Sequence, residues 1–233
     1  MRTIGLIGGM SWESSAEYYR LINVGVRERL GPLRSAPLLM HSVDFGPIAL
    51  AQRENRWSDA AAILAAAARS LEAGGADCVV LCTNTLHKVA ADIEAAISIP
   101  FLHIADPVGR AAARSQWRTV GLLGTAFTME QAFLKARLSE RCGLTVLTPA
   151  ASERADVHRI IYEELCAGTV SGASRRRCQA IIDGLAARGA QAVILGCTEI
   201  TLLIKPSDAS IALLDTTTLH AAAAVDFALE GVA

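Results

Sequence analysis

A chain of 233 residues is long enough to bury a sizeable core, as one large domain or as two of about 100 residues each. Hydrophobic residues make up 52% and charged ones 19%, and the formal net charge is -1 with no basic run, which sets aside a disordered chain, a nucleic-acid groove and an anionic-membrane surface. The longest apolar stretch, Ala60 to Ala68, falls far short of the ~20 residues of a membrane span, and the opening residues carry no cleavable leader, so a cytoplasmic protein with small molecules or its own copies as partners is expected.

Apolar β-type runs follow one another along the chain. "TIGLIG" starts at Thr3, "APLLMHSVD" at Ala36, "DCVVLC" at Asp77, "PFLHIA" at Pro100, "TVGLLG" at Thr119, "LTVLTP" at Leu144, "AVILGC" at Ala192 and "IALLD" at Ile211. Amphipathic or Ala-rich stretches lie between them, which is the rhythm of βαβ units building parallel sheets covered by helices. The expected class is α/β. Six cysteines show no C-x-x-C pair and no Cys/His zinc spacing, which predicts free thiols and no structural metal.

The chain repeats itself. "TIGLIGGMS" from Thr3 is echoed by "TVGLLGTAF" from Thr119, and capping-box signatures follow in both places, Ser14 with Glu17 and Thr128 with Gln131. "GGADCVVLCTNT" from Gly74 is echoed by "RGAQAVILGCTE" from Arg188, which predicts two copies of one α/β unit. Aligning Ala76 with Ala190 and Leu81 with Leu195 places Cys82 on Gly196 and Thr83 on Cys197 (197 − 83 = 114). Successive strand side chains point to opposite faces, so Cys82 and Thr83 cannot both serve one site if the strand runs regularly to its end. A turn there would favour Cys82, which stays as an alternative thiol.

In open α/β sheets ligands bind beyond the carboxyl ends of strands, where loops present side chains and helices aim free N–H groups at anions. The polar strand ends here are Gly8 to Ser11, Thr83-Asn84-Thr85, Gly124-Thr125 and Cys197-Thr198-Glu199. Two facing halves would set Thr83 and Cys197 on opposite sides of one ligand, as inversion of a carbon centre requires: one group removes a proton and the other returns one. A thiol of pKa about 8.5 suits the task, and N–H and hydroxyl donors would steady the carbanion.

The segments "GLIGGMSWESSAEYYRLIN", "VVLCTNTLHK", "FLHIAD", "LLGTAFTMEQAF", "IIYEEL" and "VILGCTEI" resemble the aspartate/glutamate racemase family over essentially the whole chain. The resemblance implies two pseudo-symmetric α/β domains with the active site in the interdomain cleft, no pyridoxal phosphate or other cofactor, no metal, and a homodimer. It implies Cys197 as the second catalytic thiol, with Thr83 where the first usually stands and hence a bias toward L-substrates. It places Gln52 and Arg53 near the substrate side chain, and Met10, Asn84, Thr85, Thr125 and Thr198 around the α-carboxylate. Cys166 stands where many members carry a lysine that helps bind an acidic side chain. Glu199 replaces the histidine of glutamate racemases proper, which favours the aspartate-type branch.

Plainer roles exist for these residues. Thr83 would cap a helix, Cys82 would be an inert buried thiol, and Glu199 would be a helix cap. His41, His87 and His103 would be satisfied structural histidines. "GLIGG" lacks the full G-x-G-x-x-G of a dinucleotide loop. The expected domains are residues 1–104 with 213–233, and 105–212. The expected function is cofactor-independent racemisation of aspartate, glutamate or a related small amino acid. The alternatives are a one-cysteine decarboxylase or isomerase of a small dicarboxylate, and a non-catalytic amino-acid sensor.

Overall fold

The computed structural model describes residues 1–232. The chain divides into two compact units, one formed by Met1–Ile104 with the stretch from Thr217 onward, the other by Ala105–Thr216. The first runs β1 (Ile4–Gly8), α1 (Trp12–Leu30), β2 (Leu38–Ser42), α2 (Phe45–Arg53), α3 (Trp57–Ala73), β3 (Cys78–Leu81), a 3-10 turn (Thr85–Val89), α4 (Ala90–Ala95) and β4 (Phe101–Leu102). The second runs α5 (Ala105–Arg114), β5 (Thr119–Gly124), α6 (Ala126–Glu130), α7 (Ala132–Cys142), β6 (Thr145–Leu147), α8 (Ala151–Arg159), a π turn (Ile160–Glu164), a 3-10 turn (Leu165–Ala167), α9 (Gly172–Ala187), β7 (Ala192–Gly196), α10 (Ile200–Leu203), a further 3-10 turn (Pro206–Asp208) and β8 (Ala212–Asp215). The last helix, α11 (Thr216–Leu229), returns the chain to the first unit.

Each unit holds one four-stranded parallel sheet flanked by helices, in the order β2-β1-β3-β4 and β6-β5-β7-β8. All eight apolar runs read from the sequence form strands. The two central strands of each sheet are covered on both faces, which is why their sequences are continuously apolar and do not alternate. The edge strand β2 is only partly covered.

The core of the first unit shows the pleat directly. Cys78, Val80 and Cys82 pack with Tyr18, Ile22 and Val26 of α1 and with Ala221 and Val225 of α11. Val79 and Leu81 pack on the other face, with Ile48 of α2 and Leu64 and Ala68 of α3. In the second unit Val193, Leu195 and Cys197 share one cluster with Ile161, Leu165 and Ile200. The i, i+2 sets are those that a strand must present to one face.

Two expectations need correction. The helices after β1 and β5 begin one turn earlier than the capping-box pattern suggested. Ser11 and Thr125 are the caps, each side chain accepting the backbone N–H three residues on, from Ser14 and Thr128. Ser14 and Thr128 therefore lie inside the first turn as donors, and Ser15 Oγ is bonded instead to the loop, accepting from Gly9 N–H at 2.8 Å. The return to the first unit begins at Thr217 and not at residue 213, because Ala212–Asp215 form β8, which pairs with β7.

Candidate active site

In a parallel sheet all carboxyl ends point one way, so each unit gathers its polar strand ends at one rim. In the first unit the ladder between β1 and β3 closes with Ile7 opposite Leu81, and Cys82 N–H still donates to Ile7 C=O at 3.0 Å. Thr83 lies beyond the ladder: its N–H turns back to Leu81 C=O at 2.9 Å, and its carbonyl accepts from His87 Nδ1 at 2.7 Å. Cys82 is fully buried among the α1 and α11 side chains, and burial pushes its thiol far above the ordinary thiol value. Thr83, half-buried, takes the next place in the i, i+2 series of Val79 and Leu81. Asn84 is buried, and Thr85 opens the 3-10 turn that follows.

The neighbouring end of β1 turns at Gly9, whose φ of 98° belongs to the left-handed region. A Cβ at Gly9 would sit 2.1 Å from the Val43 carbonyl oxygen, so the loop closes only around glycine. Met10 follows, buried in the cluster that includes Ile7, Ile48 and Ala51. Gln52 is buried at the end of α2, and Arg53 beside it is exposed and, among the described residues, in no ion pair.

In the second unit β5 and β7 stay paired one rung further, to Gly124 opposite Gly196. Close approach explains both glycines: a Cβ at Gly196 would meet Thr128 Cγ2 at 3.2 Å, and one at Gly124 would meet the Gly196 carbonyl at 3.0 Å. Beyond them stands Cys197, whose thiol donates to Glu199 Oε2 at 2.9 Å. Burial pushes that thiol well above its ordinary value, and the negative charge of Glu199 pushes it further. The upward shift favours the protonated thiol, which is the form that donates to Glu199. Thr198 is half-buried, and its carbonyl accepts from the Thr201 hydroxyl at 2.7 Å. Thr125, buried at the β5 end, caps α6.

A family model for Asp/Glu/hydantoin racemases matches residues 7–224. The chain belongs to the Asp/Glu/hydantoin racemase family. Its structure is similar to that of a Yersinia pestis protein assigned to the Asp/Glu racemases, with a TM-score of 0.95 and 51% identity over 98% of this chain and 100% of that one. It is also similar to an aspartate racemase homologue from Pyrococcus horikoshii OT3, with a TM-score of 0.87 and 32% identity over 98% and 99% of the two chains. A glutamate racemase of Roseiflexus sp. strain RS-1 is 33% identical over 168 residues, 70% of this chain and 59% of that relative's length.

Members of this racemase family are isomerases acting on amino acids, and the strand ends can be read in those terms. The structure groups Thr83, Asn84 and Thr85 in one unit, and Thr125, Cys197, Thr198 and Glu199 in the other. Two further residues bear on these strand ends, Tyr162, which the sequence pattern does not single out, and His87, which it offers only as a satisfied structural histidine. Tyr162, on the π turn, is half-exposed, and its hydroxyl is pushed upward first by partial desolvation and then by the charges of Cys197, Cys166 and Glu199. Its ring also leans on His158, with centroids 4.6 Å apart. The second residue is His87, which holds the Thr83 carbonyl. A motif at i, i+4 beyond a strand end is the only sequence signal it leaves.

Proposed function

We propose that this chain racemises an acidic or related small amino acid by acid/base transfer of the α-proton, with Cys197 as base toward the L-enantiomer and Thr83 serving the opposite face. The observation that carries the reading is the Cys197 thiol bonded to Glu199 at the carboxyl end of a central strand, in a chain that a racemase family matches almost throughout. Burial and Glu199 hold the resting thiol protonated, and an incoming α-ammonium acts in the contrary sense by favouring the thiolate. As substrate binds, the proton passes from Sγ to Glu199 Oε2. The thiolate then takes the α-proton of the L-amino acid, and the carbanion is steadied by donors around its carboxylate, among them Asn84, Thr85, Thr125 and Thr198. Thr83 delivers a proton to the other face and takes one in turn from solvent water, and Glu199 returns its proton to solvent as product leaves, so the site is restored. An alcohol gives up its own proton far less readily than a thiol, so abstraction from the D-enantiomer is the slower direction.

Arg53 supports an acidic side chain, because it is an exposed guanidinium in no ion pair among the described residues. The scheme uses no pyridoxal phosphate. A cytoplasmic homodimer belongs to the same reading, and no helix among the described residues is long and apolar enough to cross a membrane.

The test is α-hydrogen exchange in deuterium oxide, followed by proton NMR on L- and D-aspartate, glutamate and homoserine with wild type, Cys197→Ala, Thr83→Ala and Cys82→Ala. Exchange from an L-substrate that is lost in Cys197→Ala and kept in Cys82→Ala supports the reading. Equal exchange from both enantiomers that depends on Cys82, or carbon dioxide release from a dicarboxylate with no exchange, would falsify it.

A further inference from the structure

Three of the five histidines of the chain, His87, His103 and His220, are buried side by side in the first unit. The His87 ring lies 4.5 Å from His103 and 5.8 Å from His220, centroid to centroid. Their hydrogen bonds fix the tautomers. The Ile104 N–H donates to His87 Nε2 at 3.1 Å, so that nitrogen carries no hydrogen; the ring proton is on Nδ1 and is donated to the Thr83 carbonyl at 2.7 Å. His220 Nε2 donates to the Leu102 carbonyl at 2.6 Å, while its Nδ1 accepts from the Tyr18 hydroxyl at 2.8 Å. Neither ring can turn over without setting donor against donor or acceptor against acceptor.

One member of this stack, His87, holds by its carbonyl the residue just beyond β3 that the sheet no longer holds. Thr83 lies beyond the last ladder bond, so the orientation of its peptide plane, and with it the direction of the hydroxyl, depends on what grips its carbonyl. Among the described residues the second unit shows no such grip. The position that the repeat aligns with His87 is Thr201, and its hydroxyl goes to the Thr198 carbonyl, while the Cys197 carbonyl accepts only a long bond of 3.3 Å from Ile200 N–H. There the reactive side chain is held directly, by Glu199. The other end of the His87 ring is anchored on Ile104, the last residue before the chain leaves the first unit.

We propose that His87 is a positioning residue for Thr83, its Nδ1–H fixing the strand-end carbonyl so that the hydroxyl presents its proton to the carbanion. The inference rests on the reading of Thr83 as the group serving the second face. It separates two bonds that substitution can remove one at a time. His87→Asn keeps an amide nitrogen where Nδ1 stands and so keeps the donor to Thr83. His87→Gln keeps an acceptor where Nε2 stands, answering Ile104, and loses the donor to Thr83.

The measurement is the partition of the carbanion in deuterium oxide: starting from the L-amino acid that wild type exchanges fastest, the yield of deuterated D-enantiomer is divided by that of deuterated L-enantiomer. Deuteration of the recovered L-enantiomer reports the Cys197 side and serves as an internal check of folding. The expected result is that His87→Gln lowers the ratio roughly tenfold or more with total exchange close to wild type, and that His87→Asn restores it. Parallel loss of exchange and inversion in both variants, or a wild-type ratio in His87→Gln, overturns the inference. Thr83→Ala run beside them separates the two readings: if it too keeps the wild-type ratio, the role of Thr83 falls and the inference with it; if it loses inversion while His87→Gln does not, only the inference falls.

Discussion

The rims of the two sheets share one strand order and differ in what they hold at the matched position. At the end of β7 a thiol is gripped by its own side-chain partner, Glu199. At the end of β3 an alcohol is left with its backbone gripped, by His87. The rung before each differs in a complementary way. Gly196 leaves room for the Thr128 methyl, whereas at the matched position of the first unit stands Cys82, whose carbonyl accepts from the Ser14 hydroxyl at 3.0 Å. The lesson is that a duplicated scaffold tolerates divergence at a matched strand-end residue when its hydrogen-bond partners change with it.

Substitutions can break this contrast or sharpen it. The largest effect is expected for Cys197→Ala, which removes the base from the thiol end: α-hydrogen exchange from L-substrates should fall by on the order of 10² to 10⁴, read by NMR in deuterium oxide. Thr83→Cys makes the two ends alike. Exchange from D-substrates should rise roughly tenfold or more and the preference for L should narrow; an unchanged preference means that the bias does not come from the alcohol.

Glu199→Gln tests the grip on the thiol. Burial is the first cause of the raised Cys197 value and stays, but the second, the Glu199 charge, is removed. The thiol should therefore ionise at lower pH than in wild type, seen as a downward shift in the pH midpoint of Cys197 alkylation by iodoacetamide. Racemisation should drop at the same time, since the proton has lost its acceptor. The smallest effect is on stability. Gly196→Ala puts a Cβ 3.1 Å from the Leu123 carbonyl and 3.2 Å from Thr128 Cγ2, and should cost ~1–3 kcal/mol in urea unfolding. Adding Thr128→Ser, which imitates Ser14, should recover part of that loss.

The four central strands were legible because a parallel sheet covered on both faces needs unbroken apolar runs, and the partly covered edge strands were legible from apolar runs recurring between helical stretches. The pairing of Thr83 with Cys197 was legible for a related reason: the pleat has a period of two, and the repeat supplied a second copy against which to set the register. The caps were misplaced by one turn because Ser14 and Thr128 start patterns that satisfy the capping-box rule, while the true caps, Ser11 and Thr125, lie in loops of unequal length. Gly9 and Met10 have no counterpart between Gly124 and Thr125, and nothing local reveals that the extra residues precede the cap. Tyr162 was invisible for another reason, and His87 was visible only as a satisfied structural histidine. One is aimed by a π turn and the other by a 3-10 turn, and such short departures from the α-helix answer to tertiary contacts and leave no period in the sequence.

The entry and exit of the chain at residues 104 and 217 lie close together in the first unit. The Leu102 carbonyl is bonded to the His220 ring, and Arg2 N–H meets the Ala228 carbonyl at 2.9 Å, tying α11 to the opening strand. In topological terms the second repeat is a guest spliced into a host that was complete on either side of the splice. A Gly/Ser bridge in place of residues 105–216 would have only a short gap to span, and the host sheet keeps all four strands and its closing helix without the guest.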